Sequence, residues 1–228
     1  MKLVLFDIDG TLLWTDGAGR RAMEGALTEL FGTAGDPSYR YDGKTDRQIA
    51  REQMRAAGFH EDIISERIDR VIDSYVARLE EALTLDHGAR SCYGVCPLLD
   101  ELRARSDVIL GLLTGNVERG AKRKLNYVGI DFDQFRVNAF GCDSEHRPDL
   151  PAVAQKRARE RAGVEVAGPS MVIIGDTPAD IECGRSLGVR AIGVATGRFT
   201  VTQLAGYQPA AVFETLADTR DVLDAIIG

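Results

Sequence analysis

The stretch Lys2-Leu3-Val4-Leu5-Phe6-Asp7-Ile8-Asp9-Gly10-Thr11 ends an apolar run in two acids one residue apart. In an extended chain, residues i and i+2 project to the same side, roughly 6.6 Å apart, so Asp7 and Asp9 face one space unless the chain turns between them. Two ionised carboxylates at that spacing repel by roughly 2.5 kcal/mol at an effective dielectric of about 20. A cation, or a proton held on one member, must offset this. Either outcome is useful, because an ionised carboxylate can attack and a neutral one can donate a proton.

Two further apolar runs end in similar chemistry. In VIIGDTPAD, Asp176 follows the run at once and Asp180 comes four residues later; in LLTGN, Thr114 ends the run and Gly115 and Asn116 open a helical pattern. If these runs are strands of one parallel sheet, their C-terminal ends share the edge where open α/β sheets bind ligands. Helix N-termini at that edge present unpaired N–H groups that favour a phosphate. Acids beside an anion nest suit Mg²⁺-assisted phosphoryl transfer. Structural alternatives stand beside these readings. Asp and Gly are ordinary turn residues; Thr177-Pro178 could start a helix with Asp180 as its third-position acid; and Asn116 could simply cap the next helix. An EF-hand does not fit, since Thr11 and Leu12 stand where an acidic ligand and the obligatory Gly belong.

The elements that would carry these residues alternate between strand and helix. Strands are expected at Leu3–Phe6, Val108–Leu113, Val137–Phe140, Met171–Ile174, Ala191–Val194 and Ala210–Phe213. Helical patterns fall near Cys96–Arg105, Val117–Tyr127, Leu150–Ala162, Pro178–Leu187 and Asp218–Ile227. This order predicts an α/β fold, a doubly wound and mostly parallel Rossmann-like sheet covered on both faces. Residues Gly17 to about Leu85 depart from it, with three helix-like stretches and no strand, the longest carrying Ile64, Ile68, Val71, Ile72, Tyr75 and Leu79 at helical spacing. The expected organisation is a core of residues 1–15 and 90–228, with a helical cap of residues 16–89 inserted after the first strand and left through DHGARSCYG.

The 228-residue chain has 44% apolar and 28% charged residues and a net charge of −7, which argues against general nucleic-acid or anionic-membrane binding. No apolar stretch approaches a membrane span, and the first apolar run stops at Asp7, short of a signal-peptide core. Cys92, Cys96, Cys142 and Cys183 show no metal-type or redox-type spacing, so reduced thiols in a cytoplasmic protein are expected. Gly17 to Ala22, GAGRRA, fits a dinucleotide-binding pattern but does not directly follow a strand.

FDIDGTL, LLTGN and IGDTPADIECGRSLG, in this order along a β/α alternation, resemble the first, second and fourth motifs of the haloacid dehalogenase superfamily. The resemblance covers nearly the whole chain and is strongest to phosphatases with a small helical cap, similar to phosphoglycolate phosphatase. It implies that Asp7 is the nucleophile forming an aspartyl-phosphate and Asp9 the acid and base, with its backbone carbonyl in the metal shell. It further implies Mg²⁺ held by Asp7, Asp9 and Asp176 with Asp180 nearby, and a phosphoryl group held by Thr114, Gly115 and Asn116. The family's third motif usually supplies Lys; here EHRPDL offers Arg147, with Lys156 in reserve. YDGKTDRQI resembles the cap segment, making Lys44 and Arg20 (or Arg21) candidates to meet a second substrate charge. The expected substrate is a small phosphate ester, and the expected state a monomer or small homo-oligomer. A sugar-phosphate mutase shares these motifs, and a receiver-like signalling module is the non-catalytic alternative, although such modules lack a cap.

Overall fold

The structure, a computed structural model, describes residues 1–85 and 88–228. In chain order the elements are β1 (Lys2–Phe6), β2 (Leu13–Trp14), α1 (Ala18–Phe31), α2 (Asp46–Ala56), α3 (Glu61–Leu85), β3 (Arg90–Ser91), α4 (Val95–Arg103), β4 (Val108–Thr114) and α5 (Glu118–Tyr127). They continue with β5 (Val137–Phe140), α6 (Leu150–Ala162), β6 (Met171–Gly175), α7 (Pro178–Cys183), β7 (Arg190–Val194), α8 (Val201–Ala205), β8 (Ala211–Phe213) and α9 (Thr219–Ile227).

Six strands form one sheet in the order β5-β4-β1-β6-β7-β8, every pairing parallel. Side chains alternate across it as a strand's period of two requires. Val4, Phe6, Leu110, Leu112, Val172 and Ile174 face one apolar layer with α4, α5 and α9. Leu3, Leu5, Ile109, Leu113, Met171 and Ile173 face the other, with α6. β1 lies at the centre, between β4 and β6, so the sequence ends of these three strands converge at one edge. The residues following Phe6, Leu113 and Gly175 are therefore neighbours in space although more than a hundred positions separate the first from the others.

The helical insert has its own apolar cluster, in which Met23, Leu27, Ile49, Met54, Ile64, Ile68, Tyr75 and Leu79 from α1, α2 and α3 pack together. Val117, just before α5, joins this cluster and so seats the insert on the sheet-bearing part of the chain. The entry and exit strands pair antiparallel, Leu13 opposite Ser91 and Trp14 opposite Arg90. The exit stretch begins with Asp86 and His87, which lie outside the described residues. One expected helix is shorter than its pattern suggests. Pro178–Leu187 is a helix only to Cys183, after which Gly184 interrupts it and a 3₁₀ turn covers Arg185–Leu187.

Candidate active site

The first acid pair does not follow the simple strand geometry. Asp7 continues the sheet, its N–H donating to the Ile174 carbonyl, but the chain then turns, with the Ile8 carbonyl accepting from the N–H groups of Thr11, Leu12 and Leu13. Gly10 makes the turn at φ 84° and lies against the second strand-end acid: a Cβ at this position would be 2.4 Å from Asp176 Oδ2. Asp7 and Asp9 still line one cavity of about 310 Å³, together with Thr114, Gly115, Asn116, Arg147 and Asp176. Their mutual repulsion is eased because each meets a different buried cation, Arg147 beside Asp7 and Lys124 beside Asp9.

Arg147 serves Asp7. It is 5% exposed, and its Nη2 lies 3.2 Å from Asp7 Oδ1 while also donating to Asp180 Oδ1. Asp7, Asp176 and Asp180 are buried and bring one carboxylate oxygen each to within 4.8 Å of one another. Burial pushes the Asp7 carboxyl up to about 6 against the opposing pull of Arg147. Burial, followed by the charges of Asp180 and Asp7, holds Asp176 well above the ordinary carboxylate range. Arg147 pairs with Asp7 and Asp180, whereas Asp176 accepts from the Thr11 hydroxyl at 3.2 Å, so among the described residues the three buried acids are short of positive charge. A hard divalent cation bound by carboxylate oxygens fits that deficit. Asp180 is the most committed of the three: Oδ2 accepts from the Thr177 N–H at 3.0 Å and its hydroxyl at 2.6 Å, and Oδ1 accepts from Arg147. It closes a reciprocal capping box at the start of α7 and anchors Arg147. Lys156 stays outside the site, on the exposed face of α6 beside Glu160.

Lys124, a residue that motif reasoning passes over, serves Asp9. Only 4% exposed, it places Nζ 2.8 and 2.7 Å from the two Asp9 oxygens and 2.6 Å from Asn116 Oδ1. Asn116 Nδ2 donates to Asp9 Oδ2 at 2.8 Å and to Thr114 Oγ1 at 2.9 Å. Asn116 is thus not the cap of the following helix. Val117 holds that position without a side-chain bond of its own, and Asp46 at the start of α2 supplies the acceptor instead, Oδ2 lying 2.8 Å from the Val117 N–H. The Asp46 N–H in turn donates to the Gly115 carbonyl at 2.8 Å. The insert therefore docks directly on the Thr114-Gly115-Asn116 loop. Gly115 is required there, because a Cβ would lie 2.1 Å from the Lys44 carbonyl oxygen. Burial pushes Asp46 up to about 6, with Lys124 and the Val117 N–H opposing.

Lys44 and Arg20, both from the helical insert, line the cavity but already have partners. Lys44 Nζ is 2.6 Å from Glu52 Oε2 and 2.7 Å from the Tyr39 hydroxyl. Arg20 bonds Glu24 and the Pro37 and Tyr39 carbonyls, and its guanidinium sits 4.2 Å from the Tyr41 ring centre. Arg21 reaches the Asp16 carbonyl at 2.9 Å. Trp14, Met23, Tyr41, Ile49 and Tyr75 give the cavity an apolar wall.

A model of haloacid dehalogenase-like hydrolases matches residues 4–185, spanning all of these strand-end residues. The chain belongs to this family. Membership accounts for the acids at one sheet edge and removes the receiver-like alternative. Among relatives of this hydrolase, "Probable phosphatase IndB" of Dickeya dadantii is 26% identical over 225 residues, covering 99% of this chain and 94% of that protein. A "Phosphoglycolate phosphatase" of Pseudomonas putida is 27% identical over 206 residues, covering 86% of this chain and 70% of that protein. A structure described as β-phosphoglucomutase from Clostridium difficile shares the fold, with a TM-score of 0.74 at 16% identity, covering 100% of this chain and 97% of the other. No helix among the described residues is long and apolar enough to cross a membrane.

Proposed function

We propose that this hydrolase releases phosphate from a small phosphomonoester through an aspartyl-phosphate on Asp7, with Mg²⁺ as cofactor. The observation that carries the reading is the position of Asp7 at the end of β1, buried between the Arg147 guanidinium and the Asp176 carboxylate. Asp7 and Asp176 would hold the Mg²⁺ with the Asp9 backbone carbonyl, and Asp180 would act beside them by fixing Arg147. Bound there, the ion supplies the positive charge that the acids lack and that a phosphoryl group needs.

In the first step an Asp7 oxygen attacks phosphorus while Asp9 gives a proton to the departing alcohol oxygen, so the P–O ester bond breaks as the acyl-phosphate bond forms. In the second step Asp9 takes a proton from water, which attacks the phosphorus and frees both phosphate and Asp7. Arg147 holds the nucleophile and the phosphoryl oxygens, and the Thr114 hydroxyl with the loop N–H groups binds the rest of that group. Residues 16–89 act as the lid over this chemistry, with residues 1–15 and 90–228 as its base and the β2–β3 pair as the crossing. The apolar wall selects the leaving group, framed by Lys44 and Arg20 through Tyr39 and Tyr41. Neither a nucleic acid nor a membrane is a partner in this reading, and a cytoplasmic location is consistent with four unpaired cysteines.

The test is phosphate release from p-nitrophenyl phosphate. Wild type should be active with Mg²⁺ and silent in EDTA, and Asp7→Asn should lose about 10³-fold or more. Activity that survives both treatments would end this reading. Quantitative phosphate release, rather than isomerisation of glucose 1-phosphate, separates the hydrolase from the mutase alternative.

A further inference from the structure

The second buried cation has no assigned task in this scheme. Lysine is rarely buried without a partner, since stripping water from an ammonium costs several kcal/mol unless opposite charge and hydrogen bonds replace it. Lys124 meets that condition completely. Its ammonium has three protons, and three acceptors surround it: Asp9 Oδ1 at 2.8 Å, Asp9 Oδ2 at 2.7 Å and Asn116 Oδ1 at 2.6 Å. No donor is left over for a phosphoryl oxygen, which separates Lys124 from an ordinary anion-binding lysine.

The bonds form a closed circuit. By donating to Asn116 Oδ1, Lys124 turns the amide so that Nδ2 faces Asp9 and Thr114. Asp9 is thereby gripped by two side chains of one core segment, Asn116 before α5 and Lys124 within it. Its own side chain is 40% exposed and, on a turn, would otherwise sample several rotamers. The same circuit ends at the Thr114 hydroxyl, so the group that binds phosphate and the group that moves the proton share one support.

We propose that Lys124 is the positioning residue for Asp9, holding its carboxyl where the leaving oxygen and then the attacking water will be. This rests on the phosphatase reading above. It has a consequence that a purely structural lysine would not have. An acid in the wrong place matters most when the departing oxygen needs a proton, as an alcohol or weakly acidic phenol does, and least for nitrophenol, which leaves as an anion.

The experiment measures kcat/KM, which reports the steps through release of the alcohol, for a series of aryl phosphates from nitrophenyl to phenyl and for an alkyl phosphate, with Mg²⁺ present. Lys124→Met should steepen the dependence on leaving-group acidity. Its loss should be about 100-fold or more on the alkyl ester and less than about 5-fold on the nitrophenyl ester, the first figure lying within the 10²–10⁴-fold worth of general acid catalysis. Asp9→Asn should give the same steep line, and the double variant should be no steeper. Lys124→Arg, which keeps the charge but not the single nitrogen between Asp9 and Asn116, should fall between and is read in the same way if the Met variant does not fold. A loss equal across the series, or confined to KM, would overturn the proposal while leaving the phosphatase reading intact. A wild-type protein without Asp7-dependent phosphate release would overturn both.

Discussion

Asp46 offers a prediction in which structure sets both sign and size. Its carboxyl is 8% exposed and pushed from 3.8 up to about 6, chiefly by burial. A shift of about two units corresponds to about 3 kcal/mol between ionised and neutral forms. Below the ordinary value both folded and unfolded chains hold the proton, and the group is neutral in its effect on stability. As pH rises from about 4 to 6 the unfolded chain releases its proton first, so the native state binds more protons and stability falls. Above about 6 the whole penalty is present. Asp46→Asn removes the titration and keeps an amide oxygen for the Val117 N–H that Asp46 accepts at 2.8 Å. Urea unfolding in EDTA should find the variant equal to wild type near pH 4 and about 2–3 kcal/mol more stable at pH 8. Asp46→Ala loses the cap of α5 as well and should lie about 1 kcal/mol below Asp46→Asn throughout. A difference between Asn variant and wild type that stays flat from pH 4 to 8, or that reverses at high pH, would refute the assignment of the buried charge to this junction.

Arg147→Met strands the Asp7 and Asp180 carboxylates in a buried site and should lower unfolding free energy by about 3–5 kcal/mol, whereas Arg147→Lys should retain part of it. Differential scanning calorimetry in EDTA checks this, and a melting temperature unchanged in the Met variant would contradict the reading of Arg147 as the cation of the cluster. Lys44→Ala should change KM by less than about 3-fold, because its ammonium is already closed by Glu52 and Tyr39. A tenfold rise in KM for one ester, absent for others, would instead show that the ammonium reaches that substrate.

Most of the sheet was legible because its information is local. Buried strands such as Val108–Thr114 are short apolar runs bounded by turn residues, and the acids or hydroxyl ending three of them mark the edge that ligands use. Locality is also where legibility stops. Asp46 stands at the first turn of α2, an unremarkable place for an acid, and nothing near it tells that it caps a helix 71 positions away. The apolar spacing predicts a helix through Leu187, but α7 ends at Cys183 because Gly184 interrupts it. Lys124 is a different case. It lies on the same helical face as Val117, Ala121 and Leu125, all buried, so the sequence set a cation on an apolar stripe. Such a residue is costly unless an opposite charge reaches it, and the sheet edge held two acids that needed to be kept apart in role. The pairing of Lys124 with Asp9 over 115 positions follows from those two imbalances rather than from any motif. Charges misplaced in a local pattern are therefore the residues to match with one another first, because each defect specifies the sign and burial of its missing partner.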